Sequence, residues 1–443
     1  MPTWMLSIIA GAFALGILIF VHEWGHFIAA RRFHVRVPVF SFGYGPRVWG
    51  VQRGSTDYRL SALPFGGYVR MAGDNPSEER TGAPDEFLSK PRWQRAIIIL
   101  SGPGMNFILA FILLAAMFVF VGMPSPTYLS KPAVIAALPP NSPAAAAGIL
   151  AGDRVVHIAD TENPTWEQVQ EVLGNAGVGA KIPVIIERGG QQMSLTLTVS
   201  NPTDLFSAIG YPGVGTIVAE VEPNRPAARA GLRANDQILS INGHELVSQL
   251  QTIDFIHASN GQPISVVVQR GQQRLTIQIQ PDKGKNESGE AVWQIGALLG
   301  PQISYKHLSV AGGIENAALG TWGAARQVFW VIGQLFTGGV SVRQLQSVVG
   351  IAHESAQAVR EGPVQYLELI VIISVNLGIL NLLPIPILDG GHILLLIIEG
   401  MIKRDLSLKV KERFVQVGLV FLLVLIAIVM YNDVARLLPV SWH

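Results

Sequence analysis

Near its start, at residues 6–26, the chain has the sequence LSIIAGAFALGILIFVHEWGH. An apolar run from Met5 to Val21, continuing less apolar to Ala30, is long enough to cross a bilayer as a helix. Two histidines and a glutamate in the last turns of such a helix are costly in lipid unless they bind something. This stretch therefore indicates a membrane protein with a ligand site inside one of its spanning helices.

No positive charge precedes this run, whereas Arg31, Arg32 and Arg36 follow it. A cleaved signal peptide carries its positive charge before the apolar core. We therefore expect a retained helix whose N-terminus lies outside the cytoplasm.

The composition agrees with a membrane protein. Of 443 residues, 49% are hydrophobic and only 14% are charged, whereas a soluble domain is about a quarter charged. The net charge of +1 gives no reason to expect nucleic acid as a partner. The chain has no cysteine, which excludes a disulfide scaffold, a thiolate metal site and a cysteine nucleophile.

Three further segments are long and apolar enough to span: Ala96–Val121, about Tyr366–Leu388, and Phe414–Met430. Basic residues precede the second span, and others separate the third from the fourth: Lys90, Arg92 and Arg95, then Lys403, Arg404, Lys409, Lys411 and Arg413. Placing these clusters in the cytoplasm gives four spans, with both termini and residues 123–362 outside.

The run Gln327–Val340 is also apolar, but it is about half a span in length. Counting it as a span would send the basic residues 403–413 outside, so we interpret it as interfacial. Residues Ser341–Gly362 then carry apolar side chains at helical spacing, which predicts a second helix lying on the membrane surface.

The region outside contains a repeat. Residues Asn141–Asp153 align with Asn224–Asp236, and further on Glu187–Gly189 matches Gln269–Gly271. Each copy indicates a short helix with a glycine cap, a turn that contains the aspartate, and then β-rich runs. Two copies of this size predict tandem α+β domains rather than a solenoid.

The repeat pattern resembles PDZ domains, nearly completely from Ala230 to Gly243. The first copy is the weaker match, because Ala159-Asp160 stands where Asn-Gly is usual.

His22, Glu23 and His26 form an HExxH motif. Residues four apart share a helix face, so both imidazoles can reach one metal ion, and Glu23 lies beside it, where it can accept a proton from water. Zinc needs a third protein ligand, and Asp389 ends the third span on the same side of the membrane. By itself Asp-Gly-Gly would indicate a turn, and His392 is the alternative as a ligand or a supporting group.

The third span is unusual in its own composition. Pro384 and Pro386 cannot continue a helix, and Asn376 and Asn381 are polar within lipid. The asparagines either serve helix packing or belong to a segment that unwinds near the metal and offers amides to a substrate. A protease must hold its substrate extended, and pairing to a strand edge is the usual means.

A partner for such a substrate lies between the first two spans. Residues Tyr58–Met71 predict two short strands about a turn at Gly66-Gly67. The segment is either a simple cytoplasmic hairpin or an apolar hairpin folded back toward the metal.

The motifs HEWGH, LPFGGYVRM, SGPGMNF and NLLPIPILDGGH occur in this order, with the two repeats between the last two, over nearly the whole chain. In this the chain resembles the bacterial site-2 proteases of the RseP (regulator of sigma-E protease) type, which are intramembrane zinc metalloproteases. Segment Ser347–Ile351 departs from their pattern, because it lacks a Gly-Pro.

The resemblance implies Zn2+ bound by His22, His26 and Asp389, with Glu23 as the base that takes a proton from the attacking water. It also implies residues that bind the substrate: Asn381, Asn376, Leu60, Gly66, Gly67, Tyr68 and Met71.

The resemblance further implies a place in the bacterial inner membrane, with both termini and the PDZ-like domains in the periplasm. The implied substrate is a single-pass anti-sigma factor, cut after a first cleavage outside, in the regulated intramembrane proteolysis of the envelope stress response. Remnant signal peptides are further candidates. The PDZ-like pair would either exclude substrates with a bulky outer domain or recruit peptide and C-terminal ligands.

Two other classes of function compete with this interpretation. A membrane scaffold that presents PDZ-like modules would not need Glu23. A transporter could use buried histidines and broken helices, but four spans and a large outer region fit that class poorly.

The predicted fold is a polytopic α-helical membrane protein with four transmembrane helices, a membrane-associated β-hairpin region and two tandem PDZ-like α+β domains outside the membrane. In chain order it comprises a helix at 1–31, the hairpin region at 32–94, a helix at 95–122, PDZ-like domains at 127–201 and 202–283, a linker with amphipathic surface helices at 284–362, a transmembrane segment at 363–390, a cytoplasmic-side segment at 391–412 and a helix at 413–436.

Overall fold

The computed structural model describes residues 3–74, 81–139, 142–199, 208–213, 216–222, 224–246, 248–285, 291–337 and 348–437. The chain divides into two compact units: a membrane unit of residues 1–123 with 307–443, and a repeat unit of residues 124–306. The membrane unit is helical around a bent β-hairpin, and the repeat unit is built from two α+β subdomains.

The described helices of the membrane unit are α1 (Thr3–Arg32), α2 (Arg92–Phe120), α7 (Val310–Thr337), α8 (Val348–Glu361), α9 (Pro363–Leu382), α10 (Asp389–Ile402) and α11 (Leu408–Leu437). Within the described residues, α1, α2, α9 and α11 are the four that are long and apolar enough to cross a membrane. The four predicted spans are therefore present, and the chain is an integral membrane protein.

The third span is shorter than the sequence predicted. Helix α9 ends at Leu382, not at Leu388, because Pro384 disfavours helical backbone in the residue before it and cannot donate to the helix itself. A separate helix, α10, begins at Asp389, so the predicted cytoplasmic-side segment at 391–412 is largely helical.

Helix α7 contains residues 327–337 of the apolar run Gln327–Val340, and it is not among the described helices that are long and apolar enough to cross a membrane, so the interfacial interpretation stays a prediction. The helix begins at Val310 and follows α2 inward: Gly313 lies against Val119, Gly320 lies against Leu114, and Ala325 packs in one buried cluster with Ala110. Small residues let two helices approach closely in a membrane, and a hydropathy pattern does not register this.

Helix α8 contains the described part of the second predicted helix, of which residues 341–347 lie outside the described residues, and its place at the membrane surface stays a prediction. Its Ala352 touches Gly11 of α1, and its Ser355 and Ala356 are buried. The helix therefore packs on the bundle with a buried face.

The hairpin between α1 and α2 consists of β1 (Val39–Arg53) and β2 (Thr56–Arg70). Both strands bend, so that residues 39–42 pair on one side with 57–60 and on the other with 67–70. The two predicted short strands thus do not pair with each other; both flank the start of β1. Gly66, with φ +89°, lies at the bend that makes this possible. Residues 67–70 form an outer edge of this small sheet.

The repeat unit contains two subdomains with the same order of elements. The first has β4 (Ile135–Ala137), α3 (Pro143–Ala146), β5 (Arg154–Ile158), β6 (Thr161–Glu162), α4 (Trp166–Gly174), β7 (Lys181–Arg188), β8 (Gln191–Thr198) and β9 (Tyr211–Pro212). The second has β10 (Thr216–Val221), α5 (Pro226–Ala230), β11 (Gln237–Ile241), β12 (His244–Glu245), α6 (Gln249–Ala258), β13 (Ile264–Arg270), β14 (Gln273–Ile279), β15 (Asp282–Lys285), β16 (Ala291–Gln294) and β17 (Ala297–Pro301). The unit is closed by β3 (Met123–Pro126) paired with β18 (Ile303–Lys306).

The sheet of the second subdomain runs β14-β13-β11-β10-β17, and that of the first runs β6-β5-β7-β8, with β4 paired to β9. Each subdomain has its own buried apolar cluster. These are PDZ-like α+β folds. The predicted domain boundary at 201–202 lies outside the described residues, but β9, which follows it, pairs with β4 of the first subdomain, and β17, which follows the predicted end at 283, pairs with β10 of the second.

Each subdomain contains an equivalent buried ion pair between an arginine and an aspartate. Arg188 donates to both carboxylate oxygens of Asp153 at 2.7 Å and to the carbonyl oxygen of Gly148. Arg270 does the same with Asp236 and Gly231. The aspartates are fully buried, so each bidentate pair ties the end of the first helix to the sheet.

Replacing Arg188 with Met should destabilise the first subdomain by about 2–4 kcal/mol, because it leaves Asp153 buried without its cation. Burial by itself raises the pKa of Asp153, but hydrogen bonds from Arg188 and from the amide of Leu150 outweigh it and hold the pKa below its usual value. The stabilisation is therefore present at neutral pH and is lost as the pH falls through the lowered pKa. Hydrogen exchange of the amides in β5 and β7 measures both effects.

The matched control is Arg154→Met, which removes an exposed pair with Glu187 at 3.7 Å and should change stability by less than about 1 kcal/mol. Equal protection losses in the two variants would contradict a structural role for the buried pair.

Candidate metal centre

His22, His26 and Asp389 come together although they lie on two helices that are far apart in sequence. Nε2 of His22 lies 3.1 Å from one carboxylate oxygen of Asp389, and Nε2 of His26 lies 3.6 Å from the other. The two Nε2 atoms are 3.2 Å apart. Ligand atoms about 2.1 Å from a tetrahedral ion lie about 3.4 Å from one another, so these spacings fit one metal ion. Within the described residues, no other set of three metal-ligating side chains converges in this way.

The second nitrogen of each imidazole is engaged elsewhere. Nδ1 of His26 lies 2.8 Å from the carbonyl oxygen of Ile98, which can only accept, so the proton of a neutral His26 is on Nδ1. Nδ1 of His22 lies 3.2 Å from the side-chain amide of Asn106. The bond to Ile98 leaves Nε2 of His26 as a lone-pair donor toward Asp389, and a bond in which Nδ1–H of His22 donates to the Asn106 side chain would do the same for His22.

The side-chain oxygen of Asn106 is buried and has no hydrogen-bond partner among the described residues, which supports placing the proton of His22 on Nδ1. An amide exchanges its oxygen and nitrogen by a flip, and the flipped Asn106 accepts the Nδ1 proton of His22. One Asp389 oxygen is likewise buried without a hydrogen-bond donor in the described chain. Two imidazole lone pairs and a carboxylate thus face each other, and a divalent cation satisfies all three.

The donor set also indicates which metal fits. Two imidazoles and one carboxylate, with no thiolate, are ligands that zinc accepts in catalytic sites, which keep a fourth position open. Asp389 is the first residue of α10 rather than part of a turn, and His392, one turn further on, lies on the wall of the neighbouring cavity but outside the three-residue cluster.

Two glycines allow α2 to lie against the histidine face of α1. A Cβ on Gly25 would overlap the carbonyl oxygen of Ser101, and a Cβ on Gly102 would overlap Nε2 of both His22 and His26. The sequence SGPGMNF carries this contact through Ser101 and Gly102, and it supplies Asn106 as well. The sequence alone did not indicate roles for Ser101, Gly102 and Asn106, since these roles depend on how two helices meet.

Glu23 lies beside the cluster, where the sequence placed it. Its Oε2 accepts a hydrogen bond from the amide of Val69 at 3.0 Å, and it lines the same cavity as the three clustered residues. Val69 belongs to the outer edge run 67–70 of the hairpin. The hairpin therefore folds back to the candidate metal centre, which is the second of the two alternatives that the sequence left open.

The cluster opens into a cavity of about 890 Å³ within the membrane unit. Of the predicted substrate-binding residues, Asn381 and Met71 line it. The others do not: Asn376, Leu60, Gly66, Gly67 and Tyr68. Asn376 is half-buried in α9, and Tyr68 stacks on Tyr44 with ring centroids 6.0 Å apart. The binding roles of all seven stay predictions.

The loop between α9 and α10 is held in an unusual conformation at the cavity wall. Ile387 has φ +84°, a region that β-branched residues rarely adopt. Gly390 and Gly391 lie so close to the carbonyls of this loop that a Cβ on either would overlap them, and Gly418 of α11 presses on Pro386 in the same way. The two glycines of Asp-Gly-Gly thus allow the start of α10 to pack closely against the strained loop that precedes Asp389.

Comparison with known proteins gives a consistent result. A profile of peptidase family M50 matches residues 10–425. The regulator of sigma-E protease RseP of Salmonella typhimurium is 33% identical over 98% of this chain and 100% of its own. The protein of the same name from Escherichia coli is 31% identical over 96% of this chain and 97% of its own. A Vibrio cholerae relative whose name describes a zinc metalloprotease is 30% identical over 97% of this chain and 99% of its own.

Among solved structures, a PDZ domain of an SdrC-like protein from Listeria monocytogenes aligns with 19% of this chain and 86% of its own length, at 28% identity and a TM-score of 0.17.

Replacing Gly102 with Ala should reduce zinc affinity about 10- to 100-fold or more, because the added methyl group displaces the two imidazoles from their ligand positions. Zinc content after dialysis against a chelator of known affinity measures the loss. Gly104→Ala is the matched control, since nothing lies within 4 Å of a Cβ at that position in the same helix. Full zinc occupancy in the Gly102 variant would mean that the imidazoles do not hold the ion.

Proposed function

The chain belongs to peptidase family M50 and is a zinc metalloprotease of the site-2 type, and on this premise we propose that it hydrolyses a peptide bond within the transmembrane segment of a single-pass membrane protein. The observation that carries the proposal is the convergence of His22, His26 and Asp389, with Glu23 beside them, in a cavity between spanning helices. The walls of that cavity include the spanning helices α1, α2, α9 and α11, which favours a substrate that itself lies in the membrane.

The proposal gives each residue of the centre a role. His22, His26 and Asp389 hold Zn2+, which when bound polarises the scissile carbonyl and makes water more acidic. Glu23 accepts the proton of the attacking water and passes it to the leaving amine. The amide of Val69 orients the Glu23 carboxylate through its hydrogen bond at 3.0 Å. Asn106 and the carbonyl of Ile98 hold the two imidazoles in the orientation that presents Nε2.

The hairpin edge supplies a place for an extended substrate. A helical peptide bond is shielded by its own hydrogen bonds, so the substrate segment must unwind before it is cut. The run 67–70 is the outer edge of its sheet and reaches Glu23 through Val69. We propose that the substrate backbone pairs along this edge, with Met71 and Asn381 on the cavity wall beside it.

The substrate class follows from the relatives. Those from Salmonella and Escherichia coli are named regulators of sigma-E protease. We extend this role to the present chain: its substrate is an anti-sigma factor already cut once outside, and the reaction belongs to the envelope stress response. Remnant signal peptides, which are single apolar helices, are substrates of the same kind.

The proposed location is the bacterial inner membrane. The basic residues at the end of α1, at the start of α2 and around the junction of α10 with α11 favour the cytoplasmic side. This orientation puts the repeat unit and both termini in the periplasm and brings the metal centre toward the cytoplasmic half of the bilayer.

The second PDZ-like subdomain offers a cleft for a peptide. A cavity of about 470 Å³ lies between α6 and β17, lined by Ile253, Ile256 and Leu298 among others, and β17 is an edge strand of its sheet. A peptide could add to that edge by backbone pairing. In the first subdomain the equivalent strand, β9, has only two residues, Tyr211 and Pro212, and the proline cannot donate, whereas β17 has four residues before its own proline, Pro301. We therefore assign peptide or C-terminal ligands to the second subdomain.

We further propose that the repeat unit acts as a size filter, which excludes substrates that keep a bulky outer domain. The catalytic residues all belong to the membrane unit, so the repeat unit can act only on what approaches them. Recruitment through the second cleft is the competing role.

The substitution Glu23→Gln should abolish cleavage, with a loss of at least about 100-fold, while zinc content and fold are retained, because only the proton acceptor is removed. Asp389→Ala should lose both the metal and the activity, because it removes a ligand. Zinc analysis and cleavage of a model transmembrane substrate are measured side by side. Near-normal turnover by the Glu23 variant would assign the base to another group, and a fully metallated Asp389 variant would remove that residue from the ligand set.

The filter is tested by replacing residues 128–301 with Asn-Gly. Strands β3 and β18 pair at the two ends of the repeat unit, so a two-residue turn can close them as a hairpin and leave the membrane unit intact. The shortened protein should cut an untrimmed substrate that the full-length protein ignores, and should cut the trimmed form about equally well. Slower cleavage of both forms would indicate recruitment instead.

A further inference from the structure

We propose that the ends of α1 and α2 nearest the hairpin region form a binding site for an anionic phospholipid, with its phosphate in a basic cavity and an acyl chain along the two helices. The inference rests on three observations: the cavity itself, its unpaired cations, and two apolar stripes that lead away from it into the membrane.

The cavity has a volume of about 560 Å³ and is lined by Arg32, Phe33, His34, Lys90, Trp93 and Gln94. Clefts that bind small ligands are typically about 300–1,000 Å³. His34 has φ +57°, which turns the chain away at the end of α1 and leaves space beside the start of α2. The ring of Trp93 meets Phe33 edge-to-face at 5.4 Å between centroids, so the apolar wall of the cavity is held in place.

The cations of this cavity lack the partners that their neighbours have. Arg36 is paired with Asp85, and Arg92 with Asp405, each at 2.8 Å. For Arg32 and Lys90, the described part of the chain places no carboxylate oxygen within 4.0 Å, and no acidic side chain lines the cavity. A phosphate group would satisfy both cations.

The apolar stripes identify the ligand as a lipid rather than a soluble anion. Trp93, Ile97 and Leu100 are exposed and lie one below the other on α2, at the spacing of a single helix face. Trp24 and Ile28 are exposed on α1, and Arg32 continues their face into the cavity. Because Arg32 and Trp93 are members of both the cavity and a stripe, a headgroup in the cavity has its acyl chain directed along these residues.

The position gives the lipid a route to the catalytic centre. Trp24 belongs to the HExxH motif but faces outward, while His22 and His26 on the same helix turns are buried. An acyl chain against Trp24 would therefore pack on the back of the helix that carries Glu23 and both histidines. The lipid would stabilise the end of that helix and its contact with α2.

The experiment compares full-length proteins reconstituted in nanodiscs that contain phosphatidylglycerol and phosphatidylcholine, with native mass spectrometry to count the lipid retained on release. The wild type should retain phosphatidylglycerol in preference to phosphatidylcholine. The double variant Arg32→Gln with Lys90→Gln should lower phosphatidylglycerol retention about tenfold or more, because each cation near the surface contributes about a kcal/mol, or a factor of about five. Trp93→Ala should also weaken retention, because it removes the first apolar contact below the headgroup.

The matched control is Arg53→Gln with Lys409→Gln, which removes the same charge from exposed positions outside the cavity and should retain phosphatidylglycerol as the wild type does. Unchanged zinc content in every variant shows that the fold is intact. Equal retention by the cavity variant and the control would overturn the site. Displacement of the lipid by millimolar inorganic phosphate would overturn its assignment to a lipid and leave a phosphate site.

Discussion

Three lone pairs meet in an apolar interior at His22, His26 and Asp389, and the rest of the membrane unit serves to hold them together against their mutual repulsion. The hydrogen bonds of Asn106 and Ile98 turn both imidazoles inward. The absence of side chains at Gly25 and Gly102 lets α2 close over them. The chain breaks between α9 and α10, and Asp389 is the first residue of the new helix. The break therefore places a carboxylate inside the helix bundle, opposite the two histidines. Each of these features is costly alone, and a divalent cation at the centre makes them mutually consistent.

The sequence predicted the parts of the site that depend on local geometry. His22 and His26 were identified because a helix places residues four apart on one face, and Asp389 because topology put it on the same side of the membrane. Asn106, Gly102 and Val69 were missed, because each acts only after two elements have packed together. The same holds for the repeat unit. The aspartate and the arginine of each copy could be recognised in the sequence as repeated positions, but only the folded structure shows that they form a bidentate ion pair.

The errors of prediction also have physical causes. Hydropathy marked only the apolar run Gln327–Val340, whereas α7 already begins at Val310 and packs small residues against α2, a contact that carries no hydropathy signal. The hairpin was predicted as neighbouring strands about Gly66-Gly67, whereas residues 39–42 insert between them. Strand alternation specifies which residues share a face, but not which run of a bent strand lies in the middle of the sheet. The four predicted spans are found as four long apolar helices, because length and apolar composition are enough to identify a span.

The left-handed backbone at Ile387 couples the fold of the loop to the loading of the metal. A β-branched residue held there stores on the order of 1–3 kcal/mol, and the packing of Gly390, Gly391 and Gly418 around the loop offsets that cost. Asp389 follows the loop directly, so a metal ion held by its carboxylate would anchor the same segment from its other end.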